Sequence, residues 1–103
     1  MNVIERNIDQ ITGLCKKHKV SELYIFGSVL TDKFSDDSDI DFLVEFTNVD
    51  IQQYFDNYMD FKEKLEDLFK RTVDLVENQA IRNPILRRVI DRDKMLVYER
   101  KSA

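Results

Sequence analysis

Gly27-Ser28 at the end of an apolar run, ten intervening residues, and then Asp39-Ile40-Asp41 are the positions in this chain whose types and spacing suit chemistry. A strand that runs into a glycine turn and then a short helix offers free backbone N–H groups and the positive end of a helix dipole, and both favour phosphate. The Ser28 hydroxyl adds a donor. Asp39 and Asp41 stand two positions apart on the next expected strand, so their side chains emerge on one face, roughly 7 Å apart at ~3.3 Å per residue. Two carboxylates so placed suit a shared pair of divalent cations. A further aspartate, Asp74, lies in Thr72-Val73-Asp74-Leu75-Val76, where alternation turns it away from Val73 and Leu75. A lone aspartate in a β-branched strand is usually an edge or surface residue, but beside a diacid strand Asp74 is a candidate third metal-site carboxylate.

The elements that must hold these residues follow from the hydropathy pattern. Leu23-Tyr24-Ile25-Phe26 is an unbroken apolar run that suits a strand buried on both faces. Gly27 turns it into a short helical segment over about 28–31, and a polar loop follows. Asp32, Asp36, Asp37, Asp39 and Asp41 crowd that region, and like charges so close repel unless cations or solvent relieve them. From 40 to 46, Ile40, Phe42, Val44 and Phe46 face one way and Asp41, Leu43 and Glu45 the other, with Asp39 on the acid side. Two acids at the start of a strand run against β propensity, and such local conflicts tend to mark functional sites.

The remaining elements frame this pair of strands. Asn2 with Glu5 reads as a capping box, and Ile4, Ile8, Ile11, Leu14 and Cys15 recur at helical spacing, which predicts a first helix running to about 17–18. His18, among Lys16, Lys17 and Lys19, reads as a solvated helix end. Asp50 with Gln53 repeats the cap pattern. Ile51, Tyr54, Phe55, Tyr58, Phe61, Leu65, Leu68 and Phe69 then trace an apolar stripe along a long helix at about 50–70. Tyr54 and Tyr58 keep polar tips that could reach a ligand or partner. Asn83-Pro84 starts another helix with Ile85, Leu86, Val89 and Ile90 on its buried face, and Met95-Leu96-Val97-Tyr98 makes a last short strand. The alternation of helices and strands predicts an α/β (α+β) fold, a mixed β-sheet of about four strands flanked by helices.

Composition bounds what such a chain can do. At 103 residues it is read as one small domain, 1–103, and 43% hydrophobic with 35% charged residues is ordinary for a globular protein. Glu5, Arg6 and Asp9 leave no apolar signal region near the start, and no apolar run is long enough to span a bilayer, so a cytoplasmic protein is expected. The single cysteine, Cys15, permits no intrachain disulfide and no cysteine-rich zinc site. With His18 the only histidine, a functional metal should be hard and oxygen-ligated, Mg²⁺ or Mn²⁺. A net charge of −4 argues against general nucleic-acid binding. Arg82, Arg87, Arg88 and Arg92 make the C-terminal third basic, which suits solvated helix faces or, more sharply, a nearby polyanion or acidic partner surface.

The Gly27-Ser28, Asp39-X-Asp41 and strand Asp74 series resembles the nucleotidyltransferase fold of the DNA polymerase beta superfamily. The helix before Arg71-Thr72-Val73-Asp74-Leu75-Val76, the Asn83-Pro84-Ile85-Leu86-Arg87 helix and the closing Leu96-Val97-Tyr98-Glu99 extend the likeness to the minimal nucleotidyltransferase (MNT) proteins of prokaryotes. In that family the protein is typically the antitoxin partner of a HEPN-domain ribonuclease toxin, and members have been associated with transferring AMP from ATP to a tyrosine hydroxyl of the toxin. The resemblance implies that Gly27 and Ser28 hold the triphosphate and that Asp39 and Asp41 bind two Mg²⁺ ions (Mn²⁺ being possible). It implies that Asp74 completes a metal site and helps deprotonate the attacking hydroxyl. Where many relatives carry a small residue and then Arg-Gly, this chain has Leu30-Thr31-Asp32, leaving Lys33 and Arg71 as cations that could compensate. An antitoxin that neutralises its toxin by binding, with transfer weak or absent, is the alternative. Transfer to a small molecule such as an aminoglycoside is a third reading, for which little chain remains to build an acceptor pocket. Homo- or hetero-oligomers are both compatible with the pattern.

Overall fold

Four strands form one mixed sheet whose central pair carries the residues singled out above. In the computed structural model, which describes residues 2–100 (the Asn2 side chain excepted), β1 (Val20–Phe26) and β2 (Ile40–Phe46) run antiparallel. β3 (Val73–Glu77) adds parallel to β2, and β4 (Met95–Glu99) adds antiparallel to β1, giving the order β3-β2-β1-β4. A parallel pair cannot be joined by a tight turn. The connection from β2 to β3 is accordingly the long helix α3 (Ile51–Phe69).

Register assigns each face its task. Ile25, Phe42 and Leu75 lie side by side across β1, β2 and β3, and all three are buried. Onto that face pack Ile11 and Cys15 from α2 (Ile8–Lys17) and Phe61, Leu65 and Phe69 from α3. Taking a side chain such as Phe42 or Phe61 out of water is worth about 1.5–3 kcal/mol, so this face supplies much of the stability. Burial pushes the Cys15 thiol up to about 12, which keeps it an inert core group.

Several expectations are corrected by the packing. The first helix is broken at Asn7 into α1 (Asn2–Arg6) and α2, because the Asn7 side chain donates to the Val3 carbonyl (2.8 Å) and competes with the helical ladder. The cap expected at Asn2 falls on a side chain outside the described part. β1 is not buried on both faces: Leu23 and Ile25 are inside, whereas Tyr24 and Phe26 are half-buried, since α2 and α3 cover a single face. His18 is not solvated either. It is 3% exposed, its Nδ1 donates to Leu14 O, its Nε2 lies 2.7 Å from Asp60 Oδ2 on α3, and its ring packs on Phe61.

The apolar stripe on α3 is only partly used. Phe61, Leu65 and Phe69 are buried, but Ile51 and Phe55 are 87% and 70% exposed. A helix of 19 residues is about 28 Å long, whereas a five-residue strand such as β3 covers about 16 Å, so the first turns of α3 overhang the sheet. Asp50 offers its carbonyl to Gln53 N and makes no side-chain cap. Tyr54 donates to Glu77, and Tyr58 donates to the Leu75 carbonyl, so both phenols are turned inward to β3 rather than toward a partner. In α4 (Pro84–Asp93), Asn83 Oδ1 accepts from Ile85 N and Leu86 N as expected of a cap. Only Ile90 of the four expected apolar residues is buried; Ile85, Leu86 and Val89 face solvent.

Candidate active site

At the end of β1 the chain must reverse beside a carboxylate, and Gly27 is what allows it. Gly27 has φ +79°, a left-handed conformation that residues with a side chain rarely adopt. A Cβ placed there would lie 2.3 Å from Asp41 Oδ2. Backbone shape and close approach therefore both require glycine. The short helical segment expected at about 28–31 is a single 3₁₀ turn, Gly27–Leu30. The Thr31 N–H and Thr31 Oγ1 both donate to the Ser28 carbonyl at 2.9 Å, closing the turn, and buried Val29 anchors it to the core. One such turn has little macrodipole, so any grip on phosphate rests on its N–H groups and the Ser28 hydroxyl.

Asp41 sits beside this turn and between two other strands. Its register partners are Phe26 on β1 and Asp74 on β3. Directly paired residues share a face, so Asp41 and Asp74 emerge together on the side away from the core. Asp39 lies one residue ahead of β2 and is exposed, as is Asp74, while Asp41 is half-buried. Burial raises the Asp41 carboxyl above its usual value, the nearby Asp74 charge raises it further, and Asp39 adds to this. Among the described residues, none of the three acids is ion-paired with a Lys, Arg or His side chain.

That chemistry fits a hard divalent cation in donor type and in charge. The donors are oxygens, they project from one sheet face, and no protein cation offsets their repulsion. Their side chains do not close on a common point. Among the described residues no group of three or more His, Cys, Asp or Glu side chains forms a ready metal cluster. The arrangement is an acidic ledge, exposed at Asp39 and Asp74, next to the Gly27 turn and able to share cations with a ligand's own oxygens.

Arg71 and Glu66 support the site in ways the sequence does not show. Arg71, a possible compensating cation for triphosphate, is already engaged. Its Nη1 donates to the carbonyls of Ser35 and Ser38, both at 2.9 Å, and its guanidinium carbon lies 4.7 Å from the centroid of the Phe34 ring. Glu66 on α3 accepts from Val73 N at 3.0 Å and so pins the start of the Asp74 strand. The one signal was position along the chain, Arg71 lying two and Glu66 seven residues ahead of Val73. Lys33 is exposed, with its N–H bonded to Thr31 Oγ1.

The geometry has counterparts among known proteins. The chain matches the family "Polymerase beta, Nucleotidyltransferase" over residues 9–103. A Methanocaldococcus jannaschii protein, provisionally named a protein adenylyltransferase, is 34% identical over 82 residues, covering 80% of this chain and 79% of its own. A solved structure, provisionally named a minimal nucleotidyltransferase, superposes with a TM-score of 0.74 at 27% identity, covering 92% of this chain and 95% of that one. The fold also superposes, with a TM-score of 0.64 at 20% identity over 94% of this chain and 73% of the other, on a structure of a tri-AMPylated HEPN toxin of Shewanella oneidensis in complex with its MNT antitoxin. The extent of the family match and the M. jannaschii relative, taken with the Gly27 turn and the Asp41–Asp74 pairing, make this chain a member of the polymerase beta nucleotidyltransferase family, in its minimal, single-sheet form.

Proposed function

We propose that the protein is a Mg²⁺-dependent adenylyltransferase that moves AMP from ATP to a tyrosine hydroxyl of a HEPN-domain ribonuclease toxin, acting as that toxin's antitoxin in the cytoplasm. The observation that carries the reading is the placement of Asp41 between the Gly27 turn and Asp74, with Asp39 beside them on the same ledge. The family, the provisional name of the M. jannaschii relative and the AMPylated toxin in the Shewanella oneidensis complex support it. No helix among the described residues is long and apolar enough to cross a membrane.

Each residue has a task in this reaction. The N–H groups of the Gly27 turn and the Ser28 hydroxyl bind triphosphate oxygens and set the α-phosphorus over the acidic ledge. Asp39, Asp41 and Asp74 would hold the Mg²⁺ ions, which when bound neutralise polyphosphate charge and polarise the α-phosphoryl group. Asp74, exposed at the rim, takes the proton of the incoming tyrosine hydroxyl. A bond forms from that oxygen to the α-phosphorus as the bond to the β-phosphate bridging oxygen breaks, and pyrophosphate leaves. Positioning and charge compensation supply most of the acceleration in such transfers. The test is incubation with α-labelled ATP, Mg²⁺ and the partner toxin. Label should appear on the toxin and be lost with Asp39→Asn or Asp41→Asn; label undiminished in both variants would refute the site.

A second reading, neutralisation by binding with little transfer, is favoured by one observation. Ile51 and Phe55 on α3 and Ile85 and Leu86 on α4 are exposed apolar side chains available for burial against a partner. If an Asp39→Asn, Asp41→Asn double variant still binds and silences the toxin, binding suffices; if it binds without silencing, transfer is required.

A further inference from the structure

We propose that Arg71 is a positioning residue that fixes Asp39 relative to the Asp41–Asp74 pair by clamping the loop ahead of β2 to the start of β3. The inference rests on the active-site reading above and concerns how that site is held.

The loop between the Gly27 turn and β2 has few other restraints. Ser38 N donates to Ser35 O at 3.1 Å and Ser35 N donates to Ser38 Oγ at 3.0 Å, so residues 35–38 close into a turn with Asp36 and Asp37 at its exposed tip. Arg71 Nη1 bonds the carbonyls at both ends of that turn, and the second belongs to the residue immediately before Asp39. The guanidinium also lies over Phe34, within the usual range for attraction between a cation and a ring. One residue further on, Ile40 N donates to Thr72 O at 3.2 Å, so the weld continues into the sheet.

Arg71 stands three positions ahead of Asp74 in the chain. One side chain therefore ties the strand of the third acid to the loop of the first. A planar guanidinium presents one nitrogen to two carbonyls while its face covers a ring, a rigid geometry that a compact ammonium on a flexible stem reproduces poorly. With Nη1 spent on the two carbonyls and its face over Phe34, this side chain is engaged by the loop rather than free as a cation for triphosphate. The loop it holds carries Asp32, Asp36, Asp37 and Asp39, whose mutual repulsion would otherwise spread the segment.

The experiment compares Arg71→Ala and Arg71→Lys with the unmodified protein by three readouts: amide hydrogen exchange, Mn²⁺ affinity by electron paramagnetic resonance, and the kinetics of AMP transfer. Both variants should speed exchange of the bonded amides of Ser35, Ser38 and Ile40 at least about tenfold, leaving 42–44 in β2 unchanged. Both should weaken Mn²⁺ binding by ~10–100-fold, the loss typical when a partner that orients a ligating side chain is removed. The KM for ATP should rise while kcat stays within about threefold. Unchanged exchange at Ser35, Ser38 and Ile40 would overturn the clamp. So would full rescue of Mn²⁺ affinity and KM by Arg71→Lys, which would make Arg71 a simple positive charge. Failure of the unmodified protein to bind Mn²⁺ would instead remove the active-site reading itself, and this proposal with it.

Discussion

Two rungs of the sheet, one residue apart, divide the protein's work. Ile25, Phe42 and Leu75 line up across three strands and are sealed beneath α3, while Phe26, Asp41 and Asp74 line up across the same strands on the opposite face, half-buried at the first two and exposed at Asp74. The pleat alone separates them. A face closed by aromatic and aliphatic side chains can hold the strands rigid while the adjoining rung keeps like charges together at a cost. The difference shows how a chain of this length can carry an electrostatically unfavourable site: its backbone is shared with the core. It also makes register unforgiving, since a slip of one residue would exchange the two faces.

Substitutions can separate the two rungs. Phe42→Ala should cost about 3–5 kcal/mol of folding stability, read from urea unfolding, as expected for removing a fully buried aromatic. Its neighbour Asp41→Asn should do the reverse, sparing the fold and reducing AMP transfer by on the order of 10²–10³-fold, the scale of losing one preorganised electrostatic group. Equal loss of stability in both variants would erase the distinction between the faces.

Smaller effects sharpen it. Gly27→Ala should cost about 1–3 kcal/mol through its left-handed φ and the contact with Asp41. Adding Asp41→Ala should recover the part due to contact, so that the two changes are less than additive in denaturation. On α4, away from both rungs, Asn83→Ala should cost about 1 kcal/mol by leaving the Ile85 and Leu86 N–H groups uncapped, with transfer unaffected.

The smallest effect is in pH dependence. The Asp41 carboxyl is raised in the fold, so the folded state holds its proton more tightly than the unfolded chain. The stabilisation from that proton is complete below the ordinary value of 3.8 and is lost as pH rises through the elevated folded value. Asp41→Asn should therefore be the more stable protein at neutral pH, with an advantage that fades on acidification toward 3.8. An advantage that grew toward acid would contradict this.

What could be read from sequence was local. The alternation of Ile40 to Phe46 and the Asn83-Pro84 cap concern neighbours along the chain, where spacing and stereochemistry suffice. The fold class and the order of elements followed from the same patterns. Most partners distant in sequence were not legible, such as His18 meeting Asp60 and Arg71 meeting Ser35 and Ser38; Asp74 was expected beside the diacid, but not at an identical level of the sheet with Asp41. The flanking lysines made His18 look solvated, although its ring lies under α3. Apolar periodicity on α3 and α4 showed which side of each helix is greasy but not how far the sheet extends beneath it, so Ile51, Phe55, Ile85 and Leu86 were assigned to a core they do not reach. For the site, residue types and spacing were visible. The approach of Asp41 to Gly27 and the engagement of Arg71 needed three dimensions.

The parallel pairing of β2 with β3 also sets when the protein becomes competent. β1 and β2 can meet as soon as residue 46 is available, but Asp74 reaches Asp41 only after the chain has threaded through all of α3 and returned. Long-range parallel contacts form late because loop closure is costly before the contacts repay it. During synthesis the Gly27 turn and the Asp39–Asp41 pair are therefore made before residue 74, and the third carboxylate joins them last. Any activity that needs Asp74 should therefore lag behind the first β-structure until the last parallel rung has closed.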